Sequence, residues 1–404
     1  MNPSNRHDAQ RAGSGGQQIP RPEDSPRSLI LDLTSRCNLR CFMCNAHMEG
    51  SAVDPASFRD MPDEVFARLQ PLVARADTIN LGGCGEPLFT GRILDRMAQI
   101  REWNRDAYLL TFTNGTCFSS RTQTERLLSF FNEVHISLNG VASYDRVMTG
   151  SHYPLIRRNL EFVRDARQAV GKPEILVIGF IVMRRNLDDI IPAAHLAKEM
   201  GFSRIQYKSL WVFNRELQTE TIHQDPDLTR LAREQVRAAH TVGIPVECEM
   251  WPELNTRVSG NWGANRVTQK LSPFRRRPPL VVRAGRMLRD DPRLFRERLV
   301  RFIGAYGRRF LGRPPRRDMS LPCHYPWRQV QVFENGDVFF CCEGETRIGN
   351  LLAEDFPAIW NSEEAWRYRD GLFSGHFYRD CARCKVIFRD HHEAYIKTGG
   401  NGQP

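Results

Sequence analysis

Six short apolar or β-branched runs alternate with six longer segments of helical periodicity between about Ser28 and Glu249. The predicted strands are Leu29–Leu33, Thr78–Leu81, Tyr108–Thr113, Val134–Leu138, Ile175–Val182 and Arg204–Lys208. The predicted helices are Pro62–Ala74, Arg92–Trp103, Gln123–Phe131, Tyr153–Val170, Leu187–Met200 and Asp227–Val242. Six strand-then-helix units indicate an α/β fold with a parallel sheet and helices outside it.

Several of these strands end where glycine or asparagine residues begin a loop, namely at Gly82-Gly83, Asn114-Gly115 and Asn139-Gly140. In parallel α/β folds, ligands bind over the carboxyl ends of the strands. We therefore expect the functional site in these loops.

Three cysteines follow the first strand at this same end, with the spacing Cys37-x3-Cys41-x2-Cys44. Three thiolates placed this closely can bind three irons of a four-iron cluster and leave the fourth iron open to a ligand. A structural zinc site normally takes four ligands in two pairs, which this triplet does not supply. The triplet therefore favours an iron–sulfur cluster.

The loop after the second strand reads Leu81-Gly82-Gly83-Cys84-Gly85-Glu86-Pro87-Leu88. Its glycines allow a ligand to approach the backbone closely, and Glu86 can accept a hydrogen bond from an ammonium group. Ser137 and Asn139, at the end of the fourth strand, can offer hydroxyl and amide groups to a ribose, or they can cap the strand end. Together with the triplet, these loops predict a cofactor site.

The chain has eleven cysteines, an odd number with short spacings, which fits metal ligation in a reducing compartment better than a set of disulfides. It has no run of about 18 apolar residues, and the polar N-terminus lacks the apolar stretch of a secretion signal. We therefore predict a cytoplasmic protein with a disordered tail over residues 1–27. Cys84, Cys117 and Cys248 are isolated, and we interpret them as small buried apolar residues.

A second group of cysteines lies near the C-terminus. Arg328–Phe333 and Val338–Cys342 flank the turn Glu334-Asn335-Gly336-Asp337, which predicts a β-hairpin. The predicted ligands are Cys323, either Cys341 or Cys342, Cys381 and Cys384. Four cysteines on a hairpin and a Cys-x2-Cys clamp suit an iron–sulfur cluster, but they would also suit a structural zinc.

The region between these parts, Leu254 to Asp318, carries eighteen Lys plus Arg against four Asp plus Glu. Apolar residues share one helical face within Leu294 to Phe310, and arginines occupy the others, which predicts a basic amphipathic helix. Such a helix packs on its parent domain in most proteins. The alternatives are an anionic membrane surface or a phosphorylated substrate. We do not expect nucleic-acid binding, because the patch lacks interleaved aromatic residues.

On these motifs the chain resembles the radical S-adenosylmethionine (SAM) enzymes, which share the cysteine triplet, a Gly-Gly-Glu-Pro-like stretch after the second strand and a Ser-containing fourth strand in a partial (βα)6 barrel. The resemblance implies that Cys37, Cys41 and Cys44 bind a [4Fe-4S] cluster whose open iron chelates the methionine amino and carboxylate groups of S-adenosyl-L-methionine. It further implies a cofactor-binding set of Met43, Gly83, Gly85, Glu86, Ser137 and Asn139. Two positions depart from the family pattern: Met43, where the family often has an aromatic residue, and Cys84, which interrupts the Gly-Gly-Glu.

The C-terminal cysteines resemble the auxiliary-cluster domain called SPASM, or its shorter form, twitch. Gly336-x4-Cys341 and Cys381-x2-Cys384 match that pattern, but the next two positions in it are Asp390 and Ala394 instead of cysteine. The resemblance therefore implies one auxiliary [4Fe-4S] cluster closed by Cys323, Cys341, Cys381 and Cys384, with Cys342 as a competing ligand.

The domain organisation that follows is a tail (1–27), a radical SAM partial barrel (28–253), a basic helical insert (254–318), a SPASM/twitch-like domain with a small β-hairpin and helices (319–390), and a second tail (391–404).

The resemblance implies an oxidoreductase that splits S-adenosylmethionine into methionine and a 5′-deoxyadenosyl radical. The expected substrate is a small polar molecule, sugar-like, aminocyclitol-like or phosphorylated, which undergoes net two-electron oxidation with the auxiliary cluster as electron acceptor. The expected partner is an electron donor such as flavodoxin or ferredoxin. The candidates for the catalytic base or substrate anchor are Arg185, Tyr207, Lys208, Glu247 and Glu249.

Two other functions stay open on the sequence. One is a maturase that modifies a ribosomally made precursor peptide. The other is a non-catalytic metal-binding or interaction protein that kept the fold, although the intact triplet speaks against it.

Overall fold

The computed structural model describes residues 22–171, 176–256, 323–341, 344, 346–374 and 381. Its strands are β1 Ser28–Leu31, β2 Thr78–Leu81, β3 Tyr108–Thr113, β4 Glu133–Ser137, β5 Leu176–Val182, β6 Arg204–Ser209, β7 Val246–Cys248, β8 Gln329–Val332, β9 Asp337–Phe339 and β10 Gly349–Asn350. They form one sheet in the order β10-β9-β8-β1-β2-β3-β4-β5-β6-β7. All pairings from β1 to β7 are parallel, which confirms the predicted α/β fold class of a partial barrel.

The helices lie between these strands and after the hairpin. They are α1 Asp63–Ala67, α2 Gln70–Val73, α3 Ile93–Trp103, α4 Arg121–Phe130, α5 Tyr144–Val147, α6 Tyr153–Val170, α7 Ile190–Glu199, α8 Arg215–Gln218, α9 Pro226–Ala239, α10 Tyr325–Arg328, α11 Phe356–Trp360 and α12 Glu363–Ser374. Short 3-10 helices cover Pro55–Ser57, Pro87–Phe89, Arg184–Asp189, His240–Val242 and Pro252–Leu254.

The barrel strands separate an outer apolar face from an inner polar face. On β4, Val134 and Ile136 are fully buried, whereas Glu133, His135 and Ser137 alternate with them. Glu133 forms an ion pair with Arg204, which lies two strands away on β6, so these side chains are on the inner face. The alternation expected of strands thus gives an apolar outer face and a charged barrel interior.

Three of the differences between the predicted and the observed elements concern the barrel. The predicted helix Pro62–Ala74 is split into α1 and α2, with Pro71 in the first turn of α2, where it lacks the N–H that a continuous helix needs. The predicted helix at Leu187 begins instead as a 3-10 helix that runs into α7. The third difference is β7, a seventh parallel strand that the sequence analysis did not predict.

The C-terminal hairpin forms as predicted and joins the barrel sheet. β8 and β9 pair antiparallel, and Gly336 in the turn has φ +88°, a conformation that favours glycine. β8 also pairs in parallel with β1, in the register Leu29↔Val330. The hairpin therefore continues the sheet of the barrel instead of forming a sheet of its own.

Residues 22–27, which the sequence analysis assigns to the tail, make specific contacts. The indole nitrogen of Trp360 donates a hydrogen bond to the Glu23 carbonyl oxygen at 2.8 Å. Arg27 forms an ion pair with Asp77 at 2.7 Å. This segment is therefore part of the folded chain, and the predicted tail boundary at residue 27 lies too far along the sequence.

A buried arginine organises the C-terminal helices. Arg369 on α12 is fully buried and donates hydrogen bonds to the carbonyl oxygens of Pro326 at 2.9 Å and Trp360 at 2.8 Å. Its guanidinium also lies over the rings of Trp360 and Phe340. Burial lowers its pKa to about 9, a cost that these contacts offset.

Several predicted features lie outside the described residues: residues 1–21 of the tail, 257–318 of the basic insert, Cys342, Cys384, Asp390 and Ala394. Among the residues that are described, no helix is both long and apolar enough to cross a membrane.

Candidate functional site

The cysteine triplet lies in the loop that follows β1, at the carboxyl end of the barrel strands. Cys37, Cys41 and Cys44 are free and partly buried. The backbone N–H of Leu39 donates to Cys37 Sγ at 3.4 Å, and that of His47 donates to Cys44 Sγ at 3.3 Å. Such amide contacts favour the thiolate form, which is the form that binds iron.

The three thiols are close enough to affect one another electrostatically. Burial raises the pKa of Cys37 to about 11 and raises that of Cys41 further, and each is also raised by neighbouring thiols of the triplet. Three thiolates this close together therefore need a compensating positive charge. The iron of a cluster supplies that charge, so the donor set fits the cofactor that the sequence predicts.

The glycine loop after β2 is packed against the triplet loop. A Cβ atom on Gly85 would lie 2.6 Å from the Arg36 carbonyl oxygen and 2.8 Å from the Ser35 carbonyl carbon. A Cβ atom on Gly83 would overlap the buried Asp32 carboxylate. Both glycines are thus required by close approach, and their predicted contact with the cofactor stays a prediction.

The side chain of Glu86 is used within the chain. Its buried carboxylate accepts hydrogen bonds from Leu88 N at 3.1 Å, Thr113 Oγ1 at 2.6 Å and Asn114 N at 2.7 Å. Burial nevertheless raises its pKa to about 7. Asn114, which Glu86 holds, has its Nδ2 3.9 Å from Cys37 Sγ. The geometry thus gives Glu86 a role in fixing the loops around the triplet, and its predicted contact with the cofactor stays a prediction.

The other predicted cofactor residues occupy the same end of the barrel. Ser137 is partly buried on the inner face of β4, and Met43 is partly buried in the triplet loop. Asn139 is buried and bridges two strands, because its Oδ1 accepts from Ile181 N at 2.7 Å. Asn139 therefore stabilises the strand ends, which is the alternative that the sequence left open for it.

Four of the five predicted catalytic residues lie in three places: the inner face of the barrel, its rim and the outer face of β6. Lys208 and Glu247 lie on the inner face, with Lys208 Nζ 4.8 Å from the Phe112 ring centroid. Arg185 lies at the barrel rim, where its guanidinium is 3.3 Å from the Phe42 ring centroid in the triplet loop. It also forms an ion pair with Glu220 at 2.8 Å.

Tyr207 is a correction to the predicted set. Its side chain points outward, and its hydroxyl donates to the Ile190 carbonyl oxygen of α7 at 2.7 Å. The residue is fully buried, and burial raises its pKa well above the ordinary value. On β6 the side chains alternate, so Tyr207 packs against a helix while its neighbour Lys208 faces the interior.

The barrel interior holds a charged network that its sequence did not predict. Glu133 Oε2 accepts from the Tyr108 hydroxyl at 2.7 Å, and Glu133 Oε1 contacts His135 Nε2 and Arg204 Nη2. Arg204 Nε lies 3.2 Å from Glu247 Oε1. The signal was the alternation Glu133-x-His135-x-Ser137 on a strand whose other residues are apolar.

Two of the three isolated cysteines lie beside the triplet. Burial raises the pKa of Cys84 to about 12, as do Asp32, Glu334 and Cys44 nearby. The pKa of Cys117 is likewise raised to about 12, mainly by burial and further by the nearby Glu86 and Cys37. Both side chains are only partly buried, so neither is the buried apolar residue that the sequence predicted. Cys248, at 2% exposure, is buried as expected.

Three of the predicted auxiliary ligands are described. Cys323 precedes α10 and is partly buried, Cys341 follows β9 and is partly buried, and Cys381 is buried. Among the described residues, no three His, Cys, Asp or Glu side chains are placed to hold a single metal ion. The choice of auxiliary ligands therefore stays a prediction.

Comparison with known proteins supports both parts of the resemblance. The profile of the SPASM iron–sulfur cluster-binding domain matches residues 323–385. A tungsten-containing aldehyde ferredoxin oxidoreductase cofactor-modifying protein of Pyrococcus furiosus is 24% identical over 248 residues, which span 59% of this chain and 67% of that protein.

Solved structures share the fold. Streptococcus suis SuiB bound to the precursor peptide SuiA superposes with a TM-score of 0.54 at 14% identity, covering 91% of this chain and 71% of SuiB. Native anSMEcpe with bound AdoMet superposes with a TM-score of 0.53 at 15% identity, covering 92% of this chain and 97% of that one.

The predicted resemblance is therefore confirmed. The chain has the radical SAM fold with a SPASM-type auxiliary-cluster domain, and the predicted cofactors, [4Fe-4S] clusters and S-adenosyl-L-methionine, agree with these matches.

Proposed function

We propose that this radical SAM enzyme abstracts a hydrogen atom from a small polar substrate, sugar-like, aminocyclitol-like or phosphorylated, and oxidises it by two electrons. The observation that carries the proposal is the contact between two loops at one end of the barrel. The triplet loop supplies three thiols, and the glycine loop packs against it at Gly85 with no room for a side chain. This pairing supports a cluster site beside the backbone of the glycine loop.

With both clusters and S-adenosylmethionine bound, the chemistry supplied is one-electron cleavage of the sulfonium to methionine and a 5′-deoxyadenosyl radical, hydrogen-atom abstraction, and uptake of the substrate's second electron. The chain's own residues position these groups. Glu86 and Asn114 fix the loop beside Cys37, and Arg185 covers Phe42 at the rim.

The barrel interior supports a small polar substrate. The inner face carries Glu133, Arg204, Lys208 and Glu247, which offer both hydrogen-bond donors and acceptors. A polyol or amino sugar needs both kinds of partner, because each hydroxyl donates and accepts. An apolar substrate would offer these polar side chains no hydrogen-bond partner.

A peptide substrate is the second candidate. Trp211 and Phe213 follow β6 at the mouth of the barrel, where they are 45% and 40% exposed. Large exposed aromatic side chains are common where polypeptides bind. The solved structures of similar fold include SuiB with its precursor peptide.

The proposed cleavage is tested on anaerobically reconstituted protein. We expect about eight irons per chain and conversion of S-adenosylmethionine to 5′-deoxyadenosine with dithionite as reductant. Cys41→Ala should abolish this conversion, whereas Cys248→Ala, a buried cysteine on the outer face of β7, serves as the matched control. Retention of activity in Cys41→Ala would overturn the cluster assignment.

The two substrate classes are separated by supplying each to the wild-type protein. A panel of sugars, aminocyclitols and their phosphates is compared with peptides, and the readout is 5′-deoxyadenosine above the substrate-free level. Stimulation by the small molecules alone supports the proposal, and stimulation by peptides alone supports the second candidate.

A further inference from the structure

Four inner-face positions lie in one row across neighbouring strands. Ser137 pairs with Gly179, Gly179 with Gln206, and Gln206 with Glu247. Side chains at paired positions of a sheet point to the same face. Glu247 therefore shares its layer of the barrel with Ser137, the residue expected to contact the ribose of the cofactor.

The centre of this row is open. Gly179 has no side chain, and a Cβ atom built there would meet only the Ile136 carbonyl oxygen, at 3.9 Å. The wall between Ser137 and Gln206 is thus recessed by the width of a side chain. A substrate carbon can approach the cofactor layer there and still reach Glu247.

Arg204 lies between two carboxylates that differ in their contacts. Glu133 accepts from Arg204, from the Tyr108 hydroxyl and from His135, and its side chain is 15% exposed. Glu247 has one contact with Arg204, at 3.2 Å, and is 28% exposed. Glu133 is therefore held as a fixed anion in the barrel wall, whereas Glu247 presents a carboxylate to the interior.

The electrostatic environments agree with this division. Although burial opposes its ionisation, hydrogen bonding to His135 and the nearby charges of His135 and Arg204 hold the pKa of Glu133 at about 2. Burial raises the pKa of Glu247, and Glu133 adds to the increase, while Arg204 and Lys208 oppose it. Two carboxylates whose pKa values are moved in opposite directions are suited to different roles, and the more basic one is suited to accept a proton.

We propose that Glu247 is the proton acceptor for a hydroxyl group on the substrate and that Arg204 is its positioning residue. In this step the substrate O–H bond breaks, its electron pair stays on oxygen, and the proton forms a new O–H bond with a Glu247 carboxylate oxygen. The inference rests on the proposed function and narrows its substrate to an alcohol. The hydrogen abstracted by the radical would come from the carbon that bears this hydroxyl.

The test measures the Glu247 carboxyl directly in the reconstituted holoprotein. The infrared carboxyl band is measured against pH in the wild type and in Glu247→Gln. The difference between the two titration curves gives the titration of Glu247 alone. We expect a carboxyl that titrates above the ordinary glutamate range. In Arg204→Met its pKa should rise by about one unit or more, because an opposite charge is lost. In Arg204→Lys, which keeps the charge, the pKa of Glu247 should lie between its values in the wild type and in Arg204→Met.

The matched control is Arg233→Met, which removes the surface pair with Glu253 and should leave the titration of Glu247 unchanged. The inference is overturned if Glu247→Gln removes no carboxyl of raised pKa, or if Arg204→Met leaves that pKa in place. A failure of the proposed function is recognised by a different readout. The wild-type protein would then form no 5′-deoxyadenosine, whatever the infrared result.

Discussion

The backbone N–H of Glu86 donates a hydrogen bond to the carbonyl oxygen of Arg36 at 2.9 Å. This bond joins the loop after β2 to the residue immediately before Cys37. The two motifs are far apart in the sequence, yet they form one backbone assembly at the carboxyl end of the barrel. The geometry of the cluster and of the cofactor loop is therefore coupled.

Gly85→Ala should weaken S-adenosylmethionine binding at least about tenfold, or about 1.4 kcal/mol. The added methyl group would collide with the Arg36 carbonyl oxygen and separate the two loops. Gly91→Ala is the matched control from the same connection, because no atom lies within 4 Å of its added Cβ. Equilibrium binding to the reconstituted proteins measures the difference, and equal affinities in both variants would contradict the packing argument.

Cys381→Ala should remove roughly four irons per chain and leave cleavage of S-adenosylmethionine detectable, because the triplet is intact. Iron and zinc analysis with an assay for 5′-deoxyadenosine checks both parts. An unchanged iron content would leave the auxiliary site as zinc or empty. Comparing Cys341→Ala with Cys342→Ala identifies the ligand, since only one of the two substitutions should lower the iron content.

Glu133→Gln should destabilise the protein at pH 7 by about 3 kcal/mol, the value that corresponds to lowering a pKa from 4.5 to about 2. The pKa of this carboxyl is lower in the folded state than in the unfolded state. The carboxylate therefore stabilises the fold fully above the unfolded-state pKa and loses this effect as the pH falls. The difference in unfolding free energy between wild type and variant should therefore be present at neutral pH and should narrow as the pH falls toward 2. Thermal unfolding midpoints at several pH values test this. Glu253→Gln is the exposed control, and a gap that does not depend on pH would count against the ion-pair explanation.

The basic insert over residues 254–318 leads to a prediction from sequence alone, since residues 257–322 lie outside the described part of the chain. If this segment contacts acidic lipid, the protein should sediment with phosphatidylserine-containing vesicles at low salt and be released as salt is raised. Neutral phosphatidylcholine vesicles are the control. Absence of sedimentation at low salt would exclude the lipid contact.

Much of the fold follows from local sequence signals. Thr78–Leu81, Tyr108–Thr113 and Tyr153–Val170 have the predicted bounds, because their apolar patterns and the clear loop residues that flank them define them. β7 has only three residues, Val246–Cys248, which is too short for a periodic signal. Its conformation is set by pairing with β6, a contact that sequence patterns do not encode.

The site was predicted best where a motif has fixed spacing. The triplet and the glycine loop lie together as expected, since each follows an adjacent parallel strand. The barrel interior was predicted less well because its residues were chosen by chemical type. Counting alternate positions along β6 would have excluded Tyr207 and selected Arg204, and the same count along β4 would have found Glu133 and His135.

The parallel pairing of β8 with β1 affects how the protein is made. β1 emerges from the ribosome early, but the partner on its second side is not synthesised until about 300 residues later. A nascent or truncated chain that stops before Gln329 therefore exposes the backbone of its first barrel strand, next to the triplet. Unpaired strand edges promote aggregation. Chains truncated before this residue should accumulate as insoluble protein, even though every residue expected to bind the first cluster is already present in them.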